Sequence, residues 1–181
     1  MLSFIVTARY PSLVKKLILV GSGVYEDKYA ESIETTRLTR LSEGERVEAF
    51  SLIETLNDPA IEDKNTPMER LGELWARADS YESLLLDSEV LEFQYDINKS
   101  VWAGAKKLRS SRQLLELGKR IKCPVVAIHG DYDPHPAEGV QDPLSRVLMD
   151  FRFIRLEKCG HYPWLERSAR DRFYAILKSE I

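Results

Sequence analysis

Short apolar runs and longer stretches with apolar residues three and four apart succeed one another along the chain. Leu2, Phe4, Ile5 and Ala8 share one helical face, and Tyr10-Pro11 stops that helix because proline has no N–H with which to continue it. Leu17-Ile18-Leu19-Val20, closed by Gly21-Ser22-Gly23, is a continuous apolar run, which predicts a strand buried on both faces of a parallel sheet. Val125-Val126-Ala127-Ile128, introduced by Pro124 and stopped by His129-Gly130, predicts a second. Phe151 to Leu156 alternates and is rich in β-formers, as an edge or half-exposed strand does.

The stretch between the first two strands is helical in pattern. Helices are expected over Glu31 to Leu41 and Gly44 to Leu56, the latter ended by Asp58-Pro59. Thr66-Pro67-Met68-Glu69 has the form of a helix start, with Thr66 as N-cap and Glu69 closing a capping box, and its helix runs through Leu71, Leu74, Trp75 and Ala78. Further helices are expected over Ser83 to Phe93, Lys99 to Leu108 and Ser111 to Leu117, with Gly118 as the stop. Pro136 to Met149 follows the second strand as a helix made irregular by Pro143. Trp164 to Leu177 closes the chain with an amphipathic face of Trp164, Leu165, Ala169, Phe173, Ile176 and Leu177. Strands and helices in this order give an α/β fold of about three parallel strands with helices on both faces.

Composition narrows the function without naming it. The 181 residues suit one domain with a sizeable insertion, and 44 % apolar content is enough for a core. Net charge is -3 with Lys and Arg dispersed, so no nucleic-acid footprint is expected. No apolar run nears the roughly 20 residues that cross a bilayer, and Met1 to Val6 lacks the basic flank of a signal peptide. Cys123 and Cys159 lie far apart and match no zinc spacing, which fits two free thiols in a reducing cytoplasm.

Polar residues placed directly after strands are the candidates for chemistry, because ligands of open parallel sheets bind at the strands' carboxyl ends. Two stretches qualify: His129-Gly130-Asp131-Tyr132-Asp133-Pro134-His135-Pro136, and Cys159-Gly160-His161-Tyr162-Pro163-Trp164-Leu165-Glu166. Each alone is also a plausible turn, since aspartate and proline favour turns. An alternation of His129, Asp131, Asp133 and His135 could offer metal ligands to one side, but Gly130, Pro134 and Pro136 break an extended ladder. No metal and no cofactor is expected.

Together, and in this order, the two stretches resemble the acid and histidine loops of α/β-hydrolases, a Gly-x-x-Asp turn followed by a Gly-His-x-Pro-x-x-Glu turn. Tyr10-Pro11 and Leu17 to Val20 resemble the helix end and strand that follow the nucleophile in such proteins. The resemblance implies Asp133 as the acid and His161 as the base, with Asp131 as the alternative acid that would otherwise bond backbone in the turn. It implies a partial α/β-hydrolase fold, with core portions at 1–24 and 119–181 and a helical cap at 25–118. Trp75, Tyr95 and Trp102 of that cap would contact substrate or fill its own core. The implied substrate is a small ester or amide or a short peptide.

The G-x-S-x-G pattern that places a serine nucleophile on a strained strand-to-helix turn does not occur. Gly21-Ser22-Gly23 has the wrong spacing, and Ser3 has no flanking glycines. The resemblance puts the nucleophile a few residues before Met1, so these residues are expected to lack the nucleophile-bearing half and to be inactive alone. Two consequences follow as expectations. The edge of Leu17 to Val20 would be unpaired and promote homo-oligomers, and the chain could instead be a non-catalytic binding or oligomerising module.

Overall fold

The computed structural model describes residues 1–84 and 93–181, so most of the helix expected over Ser83 to Phe93 lies outside the described residues. Three parallel strands, β1 (Leu17–Val20), β2 (Val125–Gly130) and β3 (Phe151–Leu156), form one sheet in the order β1-β2-β3. Leu17 faces Val125, and Val125 faces Phe151 on the other side. Eight described helices surround them: α1 (Leu2–Arg9) before the sheet, α2 (Glu31–Arg40), α3 (Glu43–Asn57), α4 (Asn65–Ala78), α5 (Tyr95–Ser110) and α6 (Gln113–Gly118) between β1 and β2, α7 (Glu138–Val147) between β2 and β3, and α8 (Arg170–Glu180) at the end.

Alternation along each strand divides the core in two. Leu17, Leu19, Val125 and Ala127 point to one face and pack with Phe4 of α1, Leu115 of α6 and Leu144 of α7. Val126, Ile128 and Leu156 point to the other and pack with Ala169 and Phe173 at α8. Every residue of β2 is buried, as expected for the central strand. β1 departs from expectation: Ile18 and Val20 are only half-buried, because α8 covers that face chiefly beneath β2 and β3. Leu2, expected on the packed face of α1, is 75 % exposed, and Thr7 takes its place beside Phe4 and Ala8.

Helices α2, α3 and α4 close over a separate cluster of Leu41, Ala49, Leu56, Leu71, Leu74 and Ala78. Residues of α2 to α4 thus pack on one another in a cluster distinct from those on the sheet. Leu114 and Leu115 of α6, and Tyr25, belong to the cluster around the sheet. No described helix is long and apolar enough to cross a membrane.

Two helix starts are set by residues other than those expected. Asp63 caps α4: its carboxylate accepts from the N–H groups of Asn65 (2.9 Å) and Thr66 and from the Thr66 hydroxyl (2.7 Å), so Thr66 lies inside the helix and forms no capping box with Glu69. The capping box belongs to α3, between Ser42 and Glu45. α8 begins at Arg170 and not at Trp164, because Pro163–Leu165 forms a short 3-10 turn and Glu166 is extended, with its carboxylate turned inward.

Candidate active site

Parallel strands end on the same side of a sheet, so the loops after β2 and β3 are neighbours. They are fastened backbone to backbone: Asp131 N–H donates to the Leu156 carbonyl at 2.9 Å, and Tyr132 N–H to the Cys159 carbonyl at 2.8 Å. Gly130 permits this approach, since a Cβ there would collide with the carbonyl oxygens of Cys159 and Gly160. Asp131 completes the fastening, its carboxylate accepting from Cys159 N–H at 3.2 Å. The alternative acid thus bonds backbone within the two loops.

Asp133 lies one step further along, buried, and meets His161: His161 Nδ1 donates to Asp133 Oδ2 at 2.7 Å. Oδ1 of the same carboxylate accepts from the backbone N–H of His135 (2.9 Å) and from its ring Nδ1 (2.8 Å). His129, at the end of β2, donates from Nε2 to the His135 carbonyl at 2.8 Å, with its Nε2 also 3.6 Å from Asp133 Oδ2. These partners set the tautomers, with the proton on Nδ1 in His135 and His161 and on Nε2 in His129. All 3 histidines of the chain therefore converge on one carboxylate, a convergence the alternating spacing of His129, Asp133 and His135 signalled only as a weak metal pattern.

The electrostatics follow from burial and partners. Burial alone would raise the Asp133 carboxyl, but hydrogen bonds from His135 and His161 and the nearby imidazoles outweigh it and hold it well below the usual carboxylate range. Burial pushes His129 down, so it stays neutral, with Nδ1 buried and lacking a hydrogen-bond partner. Both shifts act on stability in the same direction. As pH falls below about 6.5, the unfolded chain takes up a proton that folded His129 refuses; below about 4, the same holds for Asp133. Stability should fall in two stages on acidification, by denaturant titration at successive pH values. His129→Gln keeps an N–H donor without a titrating ring and should abolish the upper stage; an upper stage left unchanged would refute its origin.

His161 is held from three sides. Its backbone N–H donates to the Asp79 carbonyl at 2.8 Å, just past the end of α4. Gly21, after β1, approaches its carbonyl so closely that a Cβ would collide with it, and at φ +51° only glycine is unstrained. From the third side, Glu166 is fully buried and accepts from the backbone N–H groups of Gly160 (2.9 Å), Tyr81 (2.9 Å) and Glu82 (2.7 Å). Two more backbone bonds, Leu84 N–H to Leu165 O (2.7 Å) and Arg167 N–H to Glu82 O (2.9 Å), bind residues 81–84 along the loop. The Asp79 carboxylate is taken by both arms of Arg37, at 2.7 and 2.6 Å, which fixes this segment to α2. The Gly-His-x-Pro-x-x-Glu pattern pointed to Glu166, but nothing local in the sequence pairs it with residues 81–82.

Trp75 and Tyr95 pack on the cluster within the helical layer, with Arg37 over the Trp75 ring, and Trp102 is 56 % exposed on α5. Tyr162 stands edge-on to His161, and Tyr132, in the loop after β2, is covered by Arg40 at 3.7 Å and met edge-on by Tyr81.

Asp133, His135 and His161 offer ligand atoms within 4.8 Å of one another and are the described residues best placed for a metal ion. This is not the set the sequence suggested, since Asp131 and His129 are turned to backbone groups. Ligation through either Nδ1 would require loss of the proton it donates to Asp133. Cys159, buried behind the histidine loop, has its thiol pushed up to about 12 by burial and by the charges of Glu166, Asp131 and Asp133. A thiol reagent should therefore modify the native chain only at half-buried Cys123; modification of Cys159 before unfolding would contradict this.

No protein-family model and no curated protein matches the chain. Solved structures do. An alpha/beta fold family hydrolase from Bacillus anthracis is similar at TM-score 0.65 and 18 % identity, over 99 % of this chain and 63 % of that one. VinJ is similar at TM-score 0.59 and 15 % identity, over 100 % and 63 %, and the proline iminopeptidase of Mycobacterium smegmatis at 0.54 and 15 %, over 99 % and 60 %. The chain thus spans somewhat under two thirds of the length of each.

Proposed function

We propose, from the premise that this chain has part of the α/β-hydrolase fold, that Asp133 and His161 are the acid and base of a serine-hydrolase triad acting on an ester, amide or peptide bond. The observation that carries this reading is the 2.7 Å hydrogen bond from His161 Nδ1 to the buried Asp133 carboxylate, across the ends of adjacent parallel strands. With Nδ1 protonated, Nε2 is the basic nitrogen. It takes the proton of an attacking hydroxyl and returns it to the leaving group, while the carboxylate stabilises the imidazolium formed between. His161 is the most exposed of the three histidine rings, as a group that must reach a substrate requires.

A serine in a G-x-S-x-G turn and the oxyanion donors beside it are not among the 181 residues. The pair then works on a nucleophile supplied from outside them, and these residues alone turn over little or nothing. Helices α2 to α4 serve as the cap, joined to the histidine loop through Asp79 and Glu166. The free thiols support a reducing, cytoplasmic setting. A fold neighbour named as a proline iminopeptidase supports hydrolysis at a small ester, amide or peptide. The test is to read the coding DNA before the Met1 codon and express any in-frame extension bearing G-x-S-x-G. Nitrophenyl-ester or aminoacyl-nitroanilide turnover that disappears in His161→Ala is expected; activity indifferent to His161→Ala overturns the reading.

A second reading, a binding or oligomerising module, is favoured by one surface. The outer edge of β1 has no partner among the described residues, and Leu2, Val6, Tyr10 and Leu13 are exposed on α1 and the turn that leads from it to β1. A second copy of the chain would pair there. Sedimentation of the 181 residues should show species larger than a monomer, reduced by Leu2→Lys with Leu13→Lys; a monodisperse monomer would refute the association.

A further inference from the structure

We infer that His135 is a positioning residue for the pair, orienting the Asp133 carboxylate so that Oδ2 is presented to His161. The inference rests on the reading of Asp133 and His161 as acid and base, and goes beyond it in assigning a role to a third side chain.

A carboxylate has two oxygens, and its plane turns freely about the Cβ–Cγ bond unless both are engaged. In this site each oxygen has its own occupant. Oδ1 accepts twice from His135, through the backbone N–H at 2.9 Å and ring Nδ1 at 2.8 Å, while Oδ2 accepts from His161 at 2.7 Å. The backbone bond by itself is an ordinary aspartate turn. The ring bond adds a second donor on the same oxygen, from a different direction, and fixes the carboxylate plane. His135 is itself held, because His129 donates to its carbonyl at 2.8 Å. The two rings that flank Asp133 also touch: His135 and His161 stack with centroids 4.7 Å apart and planes 32° from parallel. His135 could therefore act through its donor, through its ring face, or both. The number of bonds to Oδ1 favours the donor.

The two contributions can be separated by substitution. His135→Asn places an amide N–H near the position of Nδ1 and removes the ring, whereas His135→Phe keeps a ring and removes the donor. The readout is the far-downfield proton resonance of His161 Nδ1–H in the 181-residue chain, which needs no nucleophile and no turnover. With three histidines in the chain, assignment is direct by His161→Gln and Asp133→Asn. The parent should show the resonance, His135→Asn should retain it, and His135→Phe should lose it through faster solvent exchange, with circular dichroism confirming that each variant is folded. If phenylalanine does not fit, His135→Ala takes its place with the same expectation. Retention in the donor-less variant, or loss in a folded His135→Asn, overturns the inference and leaves the acid–base reading intact. Absence of the resonance from the parent chain overturns that reading, and the inference with it.

Discussion

Replacing Asp133 by asparagine is expected to lower turnover by about 10⁴-fold in the nucleophile-bearing form proposed above, with little change in KM. The reason lies in how the amide must sit. His135 supplies two donors to one side of the residue, so the asparagine oxygen takes the place of Oδ1. Its NH2 group then faces His161 where Oδ2 stood. Two donors cannot meet, so His161 must turn its Nδ1 lone pair toward the amide and carry its proton on Nε2. An Nε2–H imidazole cannot take a proton from a hydroxyl, so the base is lost although every atom is in place. The measurement is kcat for the variant against the parent, with a denaturation curve to show that folding persists. A loss under tenfold would mean that Asp133 does not set the tautomer of His161, and the acid–base assignment would fail.

The second large effect is on stability. Glu166→Ala is expected to destabilise the fold by about 3 kcal/mol or more, since it leaves the N–H groups of Gly160, Tyr81 and Glu82 buried without an acceptor, at about 1–3 kcal/mol each. Water entering the vacated space offsets part of that sum. Glu166→Gln separates the bonds from the volume. Its oxygen can still serve Tyr81 and Gly160, as Oε1 does, but its NH2 would oppose the Glu82 N–H, so a smaller loss of about 1–3 kcal/mol is expected. Denaturant midpoints with unchanged slopes would establish both values. If Glu166→Ala changes stability by less than about 0.5 kcal/mol, as a surface substitution does, the clamp contributes nothing.

The sheet and the two loops were readable because their signals are local. The unbroken apolar run of β2 marks a strand with neighbours on both sides, and the alternation of β3 marks one with a half-exposed face. Asp133 and His161 could be chosen because each falls just after a strand end, where chain direction alone brings the loops together. What escaped depends on partners distant in the sequence. Thr66 is a good cap by type, but Asp63 accepts from the N–H groups of Asn65 and Thr66 and starts the helix earlier. Trp164 to Leu177 has a continuous amphipathic pattern, yet Glu166 is drawn out of helical conformation by donors 84 and 85 residues away. The cap aromatics could not be sorted into lining and filler by type. The packing of Trp75 and Tyr95 on the cluster that α3 and α4 share is a property of helices meeting, not of either residue. His135 was visible only as one member of a repeating His/Asp spacing, whose chemistry depends on which way each side chain turns.

The seam between residues 79–84 and 160–167 also limits how this protein can be recombined. One way to recombine such a chain is to exchange the helices between β1 and β2 while keeping the sheet, with crossovers placed at loop ends. Here a crossover just after α4 would separate Asp79, whose carbonyl holds the His161 backbone, from Arg37, which fixes its carboxylate. A crossover placed after residue 84 would instead require the donor insertion to present two backbone N–H groups to Glu166 at the positions of Tyr81 and Glu82. Residues 79–84 are therefore bound on both sides, to the histidine loop and to α2, and a library with a crossover at either end of them should yield mostly chimeras whose histidine is misplaced.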